Sequence, residues 1–455
     1  MKRLAENYLN EWKERQDRKP LIVRGARQTG KTYLIDKFAK SFTNFLKVDF
    51  EFDIDVIPIF KTRDPQRIIN ELSIFYNIEF KSNKTLIFLD EIQVCPEAIA
   101  CLRYFYEKMP ELHIIAAGSL LDFTLRDFSY SMPVGRIEFL YLNPMTFEEF
   151  LLAVNPKLFN YLQQWSINET INDSIHNKLV YYLREFFFVG GMPEAVNSYI
   201  IDKNYFNIQR IQSSIISTMQ NDFSKYGNRK QTEHFKKVML YVSRNIGKKI
   251  KYANIDRKIR SKELKEAFQL LSLSKVIHIA YMTKGNGIPL EVETVNNYFK
   301  SIFLDIGLVN NICGLKLIDS KKLISIHEGA LAEQFAGQEL LNANYFFENT
   351  RLYYWAREKK NANAEIDYLI SYGGKVIPVE IKAGKTGTLK SLHLFLYEKK
   401  SNFSLRFNID KPSKGNFKNN VSLKESQNNV EFTLLSLPLY LIGQLDRILS
   451  DHLQF

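Results

Sequence analysis

Residues 20–42 read PLIVRGARQTGKTYLIDKFAKSF, and their order decides the fold of the first third of the chain. A short apolar run, LIVR, is followed by a glycine-bearing loop and then by an amphipathic segment of helical length. Within it Gly25, Ala26, Arg27, Gln28, Thr29, Gly30, Lys31 and Thr32 satisfy G-x-x-x-x-G-K-[ST]. That pattern, between a strand and a helix, predicts a phosphate-binding loop: glycines let backbone N–H groups curl around phosphate oxygens, and the helix N-terminus adds positive potential. Lys31 is the candidate for the terminal phosphates and Thr32 for Mg²⁺. A fortuitous Gly-Lys turn is the alternative, and the flanking strand and helix weigh against it. The expected ligands are ATP and Mg²⁺.

Working outward, FLKVDF, KTLIFLDE, LHIIAAGS and RIEFLYL repeat the apolar-run pattern with helix-length segments between them. That alternation predicts an α/β unit with a parallel sheet and helices on both faces. KTLIFLDEIQ carries Asp90 to the end of its strand, where it can hold Mg²⁺ through water beside Thr32. Glu91 follows at once and is the candidate to orient or deprotonate an attacking water. Ser119 closes the next strand, within reach of a γ-phosphate or that water.

Composition narrows the classes. A chain of 455 residues is long enough for two to four domains. Cys95, Cys101 and Cys313 have no Cys-x-x-Cys spacing, which fits a reducing compartment and argues against a structural zinc or a disulfide framework. The charged opening MKRLAENYLNEWKERQ lacks a signal-peptide core, and no apolar run is long enough to span a bilayer. A cytoplasmic protein without membrane contact is expected. The formal net charge of +12 favours a polyanionic partner.

A second constellation lies in EIDYLISYGGKVIPVEIKAG, residues 365–384. Two strands joined at a Gly-Gly turn can bring Asp367, Glu380 and Lys382 together. Hard Mg²⁺ prefers oxygen ligands such as converging carboxylates, and a nearby lysine can steady a nucleophile in phosphodiester hydrolysis. Glu333, on a helical segment among Ala330, Ala332, Ala336 and Gly337, has room to point inward as a third carboxylate. Alternating charge on a half-exposed hairpin is the plainer reading.

Between these ends, TFEEFLLAV and NKLVYYLREFFFV read as helices, and GGMPEAV breaks the run as a hinge or a simple turn. SKELKEAFQLL places Leu264, Ala267, Phe268 and Leu271 on one helical face, a strand begins near Val276, and TKGNGIPLEVE reads as a wing. Helix, helix and wing suggest a winged helix-turn-helix, a module often used on duplex DNA. Just before it, RNIGKKIKYANIDRKIRSK (244–262) carries Arg244, Lys248, Lys249, Lys251, Arg257, Lys258, Arg260 and Lys262 against Asp256 alone, with Tyr252 interleaved. Those charges suit phosphate neutralisation, or simply a solvated face. KPSKGNFKNNVSLKESQNN (411–429) reads as an exposed loop.

In this order GARQTGKT, FLDEIQ, AAGSLL, GRIEFLYLNPMTFEEFL, GGMPEAV, FLDIGLV, GALAEQFAGQEL, EIDYLI and VEIKAG resemble a prokaryotic family of AAA-type P-loop ATPases with a C-terminal domain of unknown function. The resemblance spans nearly the whole chain. It implies an ATPase domain (1–150), a helical lid or linker (151–230), a winged-helix region (231–324) and a PD-(D/E)xK restriction-endonuclease-like domain (325–455). Glu333, Asp367, Glu380 and Lys382 match that nuclease pattern. Ile366 stands where its name has proline, and His393-x-x-x-Tyr397 replaces the Gln-x-x-x-Tyr of one branch. The AAA resemblance also implies an arginine supplied by a neighbouring subunit, with Arg136 and Arg126 as candidates and a homo-oligomer as the corollary. Two functions follow: an ATPase driving a nucleic-acid-binding, nuclease-like module, or an ATP-dependent regulatory scaffold whose C-terminal core binds protein.

Overall fold

The computed structural model describes residues 1–118, 121, 133, 135–222, 229–314, 320–359, 362–382, 389–423 and 426–452. They form two compact units, one of residues 1–144 with 273–276 and 345–349, the other of residues 145–272, 277–344 and 350–455.

Five parallel strands build the first unit: β1 (Leu21–Arg24), β2 (Asn44–Asp49), β3 (Thr85–Asp90), β4 (His113–Gly118) and β5 (Glu138–Tyr141), in the order β2-β3-β4-β1-β5. Every residue of β3 and β4 is buried, as expected where helices cover both faces of a parallel sheet. Side chains alternate across it. Ile22, Ile87 and Ile114 pack in one core with Ile68 and Leu102, whereas Val23, Phe88 and Ile115 join Leu9, Leu34 and Phe38 in the other. All five strands expected from the apolar runs are present, and the parallel arrangement brings the ends of β1, β3 and β4 to one edge.

The second unit begins with helices, Phe147–Val154 first, closed at its start by a reciprocal Thr146–Glu149 capping box. Its sheet has eight strands: β6 (Ile277–Thr283), β7 (Thr294–Phe303), β8 (Leu352–Lys359), β9 (Ala362–Tyr372), β10 (Lys375–Ile381), β11 (Phe403–Asn408), β12 (Ser413–Leu423) and β13 (Ser426–Pro438). Their order is β12-β13-β11-β10-β9-β8-β6-β7. Among the described residues no helix is long and apolar enough to cross a membrane.

Two expectations change here. The polar stretch 411–429 is largely one arm of an antiparallel hairpin, β12 with β13, rather than a loop. Val421, Val430, Phe432 and Leu434 enter the core with Leu392 and Phe395, while Lys418 pairs with Glu431 on the wet side at 2.6 Å. The Asn, Lys and Ser residues that suggested a loop belong to a strand wet on one face. The strand pair expected as a wing does not stand apart either. β6 runs parallel to β8, so one continuous sheet takes strands from both sides of the boundary expected at 324/325.

GGMPEAV and FLDIGLV meet in this unit. Asp305 is fully buried and accepts hydrogen bonds from Gly191 N at 2.6 Å and Leu308 N at 3.1 Å. Gly190, at φ +73°, ends the helix Asp173–Val189, and a Cβ there would sit 2.2 Å from Asp305 Oδ1. Burial pushes the Asp305 carboxyl up to about 6, opposed by those backbone donors. The turn is therefore locked by a carboxylate. Asp305→Ala strands two buried N–H groups and is expected to cost about 2–4 kcal/mol; urea denaturation should show the loss, and an unchanged midpoint would show that the turn holds without it.

Candidate functional site

The nucleotide loop is built by the strand-to-helix reversal. β1 ends at Arg24 and the helix Lys31–Ala39 starts immediately after Gly30. Lys31 is buried and its Nζ donates to Gly25 O at 3.0 Å and Ala26 O at 2.8 Å. Thr29 Oγ1 donates to Ala26 O at 3.0 Å, and Arg3 holds the loop from outside, donating to Thr29 O at 2.9 Å and Asn143 O at 2.8 Å. Arg27 pairs with Glu51 at 3.6 Å, and Gln28 takes φ +63°. Burial lowers the Lys31 ammonium to about 8, although Glu91 and Asp90 pull the other way.

Thr32 Oγ1 donates to Asp90 Oδ2 at 3.0 Å, and Lys47 Nζ from β2 lies 3.3 Å from the same oxygen. Burial raises the Asp90 carboxyl, against the Thr32 hydrogen bond and the Lys47 charge. Glu91 sits in the left-handed region at φ +49°, and its Oε2 accepts from Gln93 Nε2 at 2.5 Å. A hydroxyl, a carboxylate and a second carboxylate thus stand in sequence beside the phosphate loop. Hard oxygen donors of this kind suit Mg²⁺.

In the second unit, Glu333 on the helix Ser320–Leu340, Asp367 on β9, Glu380 on β10 and Lys382 just past β10 share one electrostatic environment. Burial and then mutual repulsion raise Glu380 to about 7, and burial raises Glu333 to about 7 against the pull of Lys300. Lys382 Nζ pairs with Glu380 Oε1 at 2.5 Å, Asp367 Oδ2 accepts from Ile381 N at 2.7 Å, and Glu380 Oε2 is buried with no hydrogen-bond donor among the described residues. Lys300 of β7 lies 3.0 Å from Glu333 Oε1 and 2.5 Å from Glu365 Oε1. Gly247, at φ +72°, covers Glu333: a Cβ there would lie 2.1 Å from Oε2. Among the described residues no three His, Cys, Asp or Glu side chains are arranged to hold a metal ion. The donor type suits a hard cation, but ammonium groups hold several of those oxygens.

A family model described as an AAA domain matches residues 17–151. The first unit is an AAA-type P-loop domain. Two domains of unknown function, DUF8612 and DUF4143, match residues 180–319 and 328–439 of the remainder. No curated protein matches the chain. Among solved structures, the Walker-type ATPase PABY2304 of Pyrococcus abyssi is 14% identical, covering 68% of this chain and 94% of that one, with a TM-score of 0.42. The Aeropyrum pernix ORC2 protein in its ADPNP–ADP complexes is 12% identical over 70% of this chain and 93% of its own, with a TM-score of 0.36. A STAND protein with a tetratricopeptide repeat sensor, PH0952 from Pyrococcus horikoshii, is 12% identical over 74% and 45%, with a TM-score of 0.24.

Within the AAA domain, Gly25 to Thr32, Asp90 and Glu91 lie at one edge of the sheet. Arg136 instead pairs with Glu107 at 3.0 Å, beside Arg103. Ser119 and Arg126 lie outside the described residues. Sequence reading missed Arg3, Lys47 and Gln93, and in the second unit Lys300, Glu365 and Gly247. Only Gln93 was within reach of a local rule, two residues after Glu91. Tyr252 does not stand free for base stacking, because its ring packs against Phe268 and Phe299 with centroids 5.9 Å away in each case. His393 is bound to Asn419 at 3.0 Å, against β12.

Gln93 fixes the direction of the Glu91 carboxylate. Gln93→Ala is expected to lower kcat for ATP roughly ten- to a hundredfold, the scale of effect of a misaligned catalytic group. KM should stay within about twofold because the phosphate loop is untouched. Steady-state ATPase kinetics check this, and an unchanged kcat would show that Glu91 needs no such guide.

Proposed function

We propose that this protein hydrolyses ATP in its AAA domain and that the second unit is a nucleic-acid-binding module, DNA its preferred partner, whose Glu333, Asp367, Glu380 and Lys382 act on phosphodiesters. The observation that carries the ATPase half is the Thr32–Asp90 contact at 3.0 Å with Glu91 next in the chain. Lys31 exchanges the carbonyls of Gly25 and Ala26 for phosphate oxygens, whose charge restores the protonation that burial weakens. Thr32 and Asp90 would hold Mg²⁺, which when bound neutralises charge on the phosphates. Glu91 takes a proton from, or aligns, the attacking water. An arginine from a second copy, Arg136 or Arg126, completes the charge balance, which makes a homo-oligomer part of this reading.

Support for a nucleic-acid partner comes from the basic segment. Arg244, Lys248, Lys251, Arg257, Lys258, Arg260 and Lys262 are exposed, while Asp256 is already paired with Lys237 at 2.7 Å. Such a band favours phosphate contact at low salt. A second reading, an ATP-dependent regulatory scaffold, draws on one observation: Lys300 and Lys382 already occupy carboxylates of the C-terminal cluster.

Lys31→Ala is expected to abolish nucleotide binding, whereas Glu91→Gln should keep binding and lower kcat about 10²–10⁴-fold. Equal turnover by wild type and Glu91→Gln would remove Glu91 from its role. Asp367→Ala with Lys382→Ala separates the readings of the second unit: loss of DNA nicking favours cutting, and defects confined to Lys31→Ala favour the scaffold.

A further inference from the structure

Cations crowd the C-terminal carboxylates, and most are already paired: Lys300 lies on Glu333 and Glu365, and Lys382 on Glu380. Arg406 of β11 is the exception. Parallel pairing sets it in register with Glu380 on β10, so the two side chains leave the same face of the sheet. Its guanidinium nevertheless turns the other way, toward β13. Nε donates to Ser436 Oγ at 2.9 Å, and Ser436 is the register partner of Arg406 on that side. Asn408 Nδ2 donates to the same oxygen at 3.3 Å, and Asn408 Oδ1 accepts from Asp410 N at 3.1 Å. Ser436 and Asn408 are both buried, whereas Arg406 is half-buried. Its two terminal nitrogens meet no carboxylate or carbonyl among the described residues, and neither is sealed from water.

A guanidinium beside a carboxylate ordinarily closes on it, two N–H groups to two oxygens. Here buried partners hold it toward β13 and leave the outer fork open at the margin of the acidic cluster. We propose that Arg406 grips a backbone phosphate of the nucleic acid, its fork taking two phosphate oxygens while Ser436 fixes the inner nitrogen. The inference rests on reading the second unit as a module for phosphodiesters, and it names the residue that offsets the cluster's own charge. Glu333, Glu365, Asp367 and Glu380 repel a polyanion, so a strand brought up to Glu380 needs an uncommitted positive charge beside it. Arginine meets that need better than lysine, because its planar fork matches the geometry of phosphate oxygens and stays charged at any working pH. The exposed basic segment of the same unit favours a polyanion over a single carboxylate.

The test is binding of nucleotide-free, full-length protein to a fluorescently labelled DNA duplex, followed by anisotropy between about 50 and 200 mM KCl. EDTA is present, so that no strand is cut. Arg406→Gln should weaken binding about tenfold at the low-salt end, the scale of one charged hydrogen-bonded contact. It should also make the slope of log K against log salt shallower by about 0.9, the share of one duplex phosphate. Arg406→Lys keeps the charge and loses the fork, so the slope should stay as in wild type while part of the affinity goes. Unchanged affinity and slope in Arg406→Gln overturn the inference and leave the nucleic-acid reading standing, the basic segment then carrying the contact. Wild type that binds no duplex even at low salt overturns both. Poly-glutamate bound as tightly as the duplex, with the same dependence on Arg406, overturns the phosphate assignment in favour of an acidic protein. Arg406-dependent DNA binding without nicking when Mg²⁺ is supplied leaves the phosphate contact in place and removes the cutting reading.

Discussion

Charge held out of water must be matched within a few ångströms, and that constraint organises both units of this protein. In the AAA domain Lys31 is buried against the carbonyls of its own loop, and Asp90 is shared by the Thr32 hydroxyl and the Lys47 ammonium. Such a loop is pre-organised for phosphate: the ligand need only replace contacts that already point at it. In the second unit four carboxylates, Glu333, Glu365, Asp367 and Glu380, are set against Lys249, Lys300 and Lys382. Removing a single partner from such a group leaves an uncompensated charge, which costs more than the pair itself contributes.

What was legible in the sequence follows the range of the interactions involved. The phosphate loop is a local device, strand, turn and helix within a few residues, so its motif and its fold are one statement. β3 and β4 are buried on both faces and read as unbroken apolar runs. The β12–β13 hairpin was opaque because only one of its faces is dry, and Asn, Lys and Ser on the other face mask the alternation of Val421, Val430, Phe432 and Leu434. Lys300 was opaque for another reason. It lies 33 residues before Glu333 and further still before Asp367, and only the sheet order brings it to them.

Glycine-rich and acidic motifs invite catalytic readings, and Asp305 shows why geometry must arbitrate. Its oxygens are consumed by Gly191 N, Leu308 N and the amide of Gln338, the last at 3.4 Å, leaving a carboxylate with no approach from solvent. Gln338 in turn accepts from Ile306 N at 3.0 Å. GGMPEAV, FLDIGLV and the end of GALAEQFAGQEL thus form one hydrogen-bonded knot joining three segments of the second unit. The same helix that supplies Gln338 supplies Glu333 one turn and a little earlier, so the knot helps to fix where Glu333 sits.

The basic segment and the acidic cluster are one piece of structure. Ile250 N donates to Phe299 O at 2.9 Å, so the segment after Arg244 is stitched to β7 at the residue next to Lys300. Three residues earlier, Gly247 lies over Glu333 Oε2. Exposed Lys248 and Lys251 bracket that short stretch. The backbone that presents Lys248 and Lys251 to solvent is therefore the same backbone that covers Glu333 and borders the strand carrying Lys300, so packing in the one region is felt in the other.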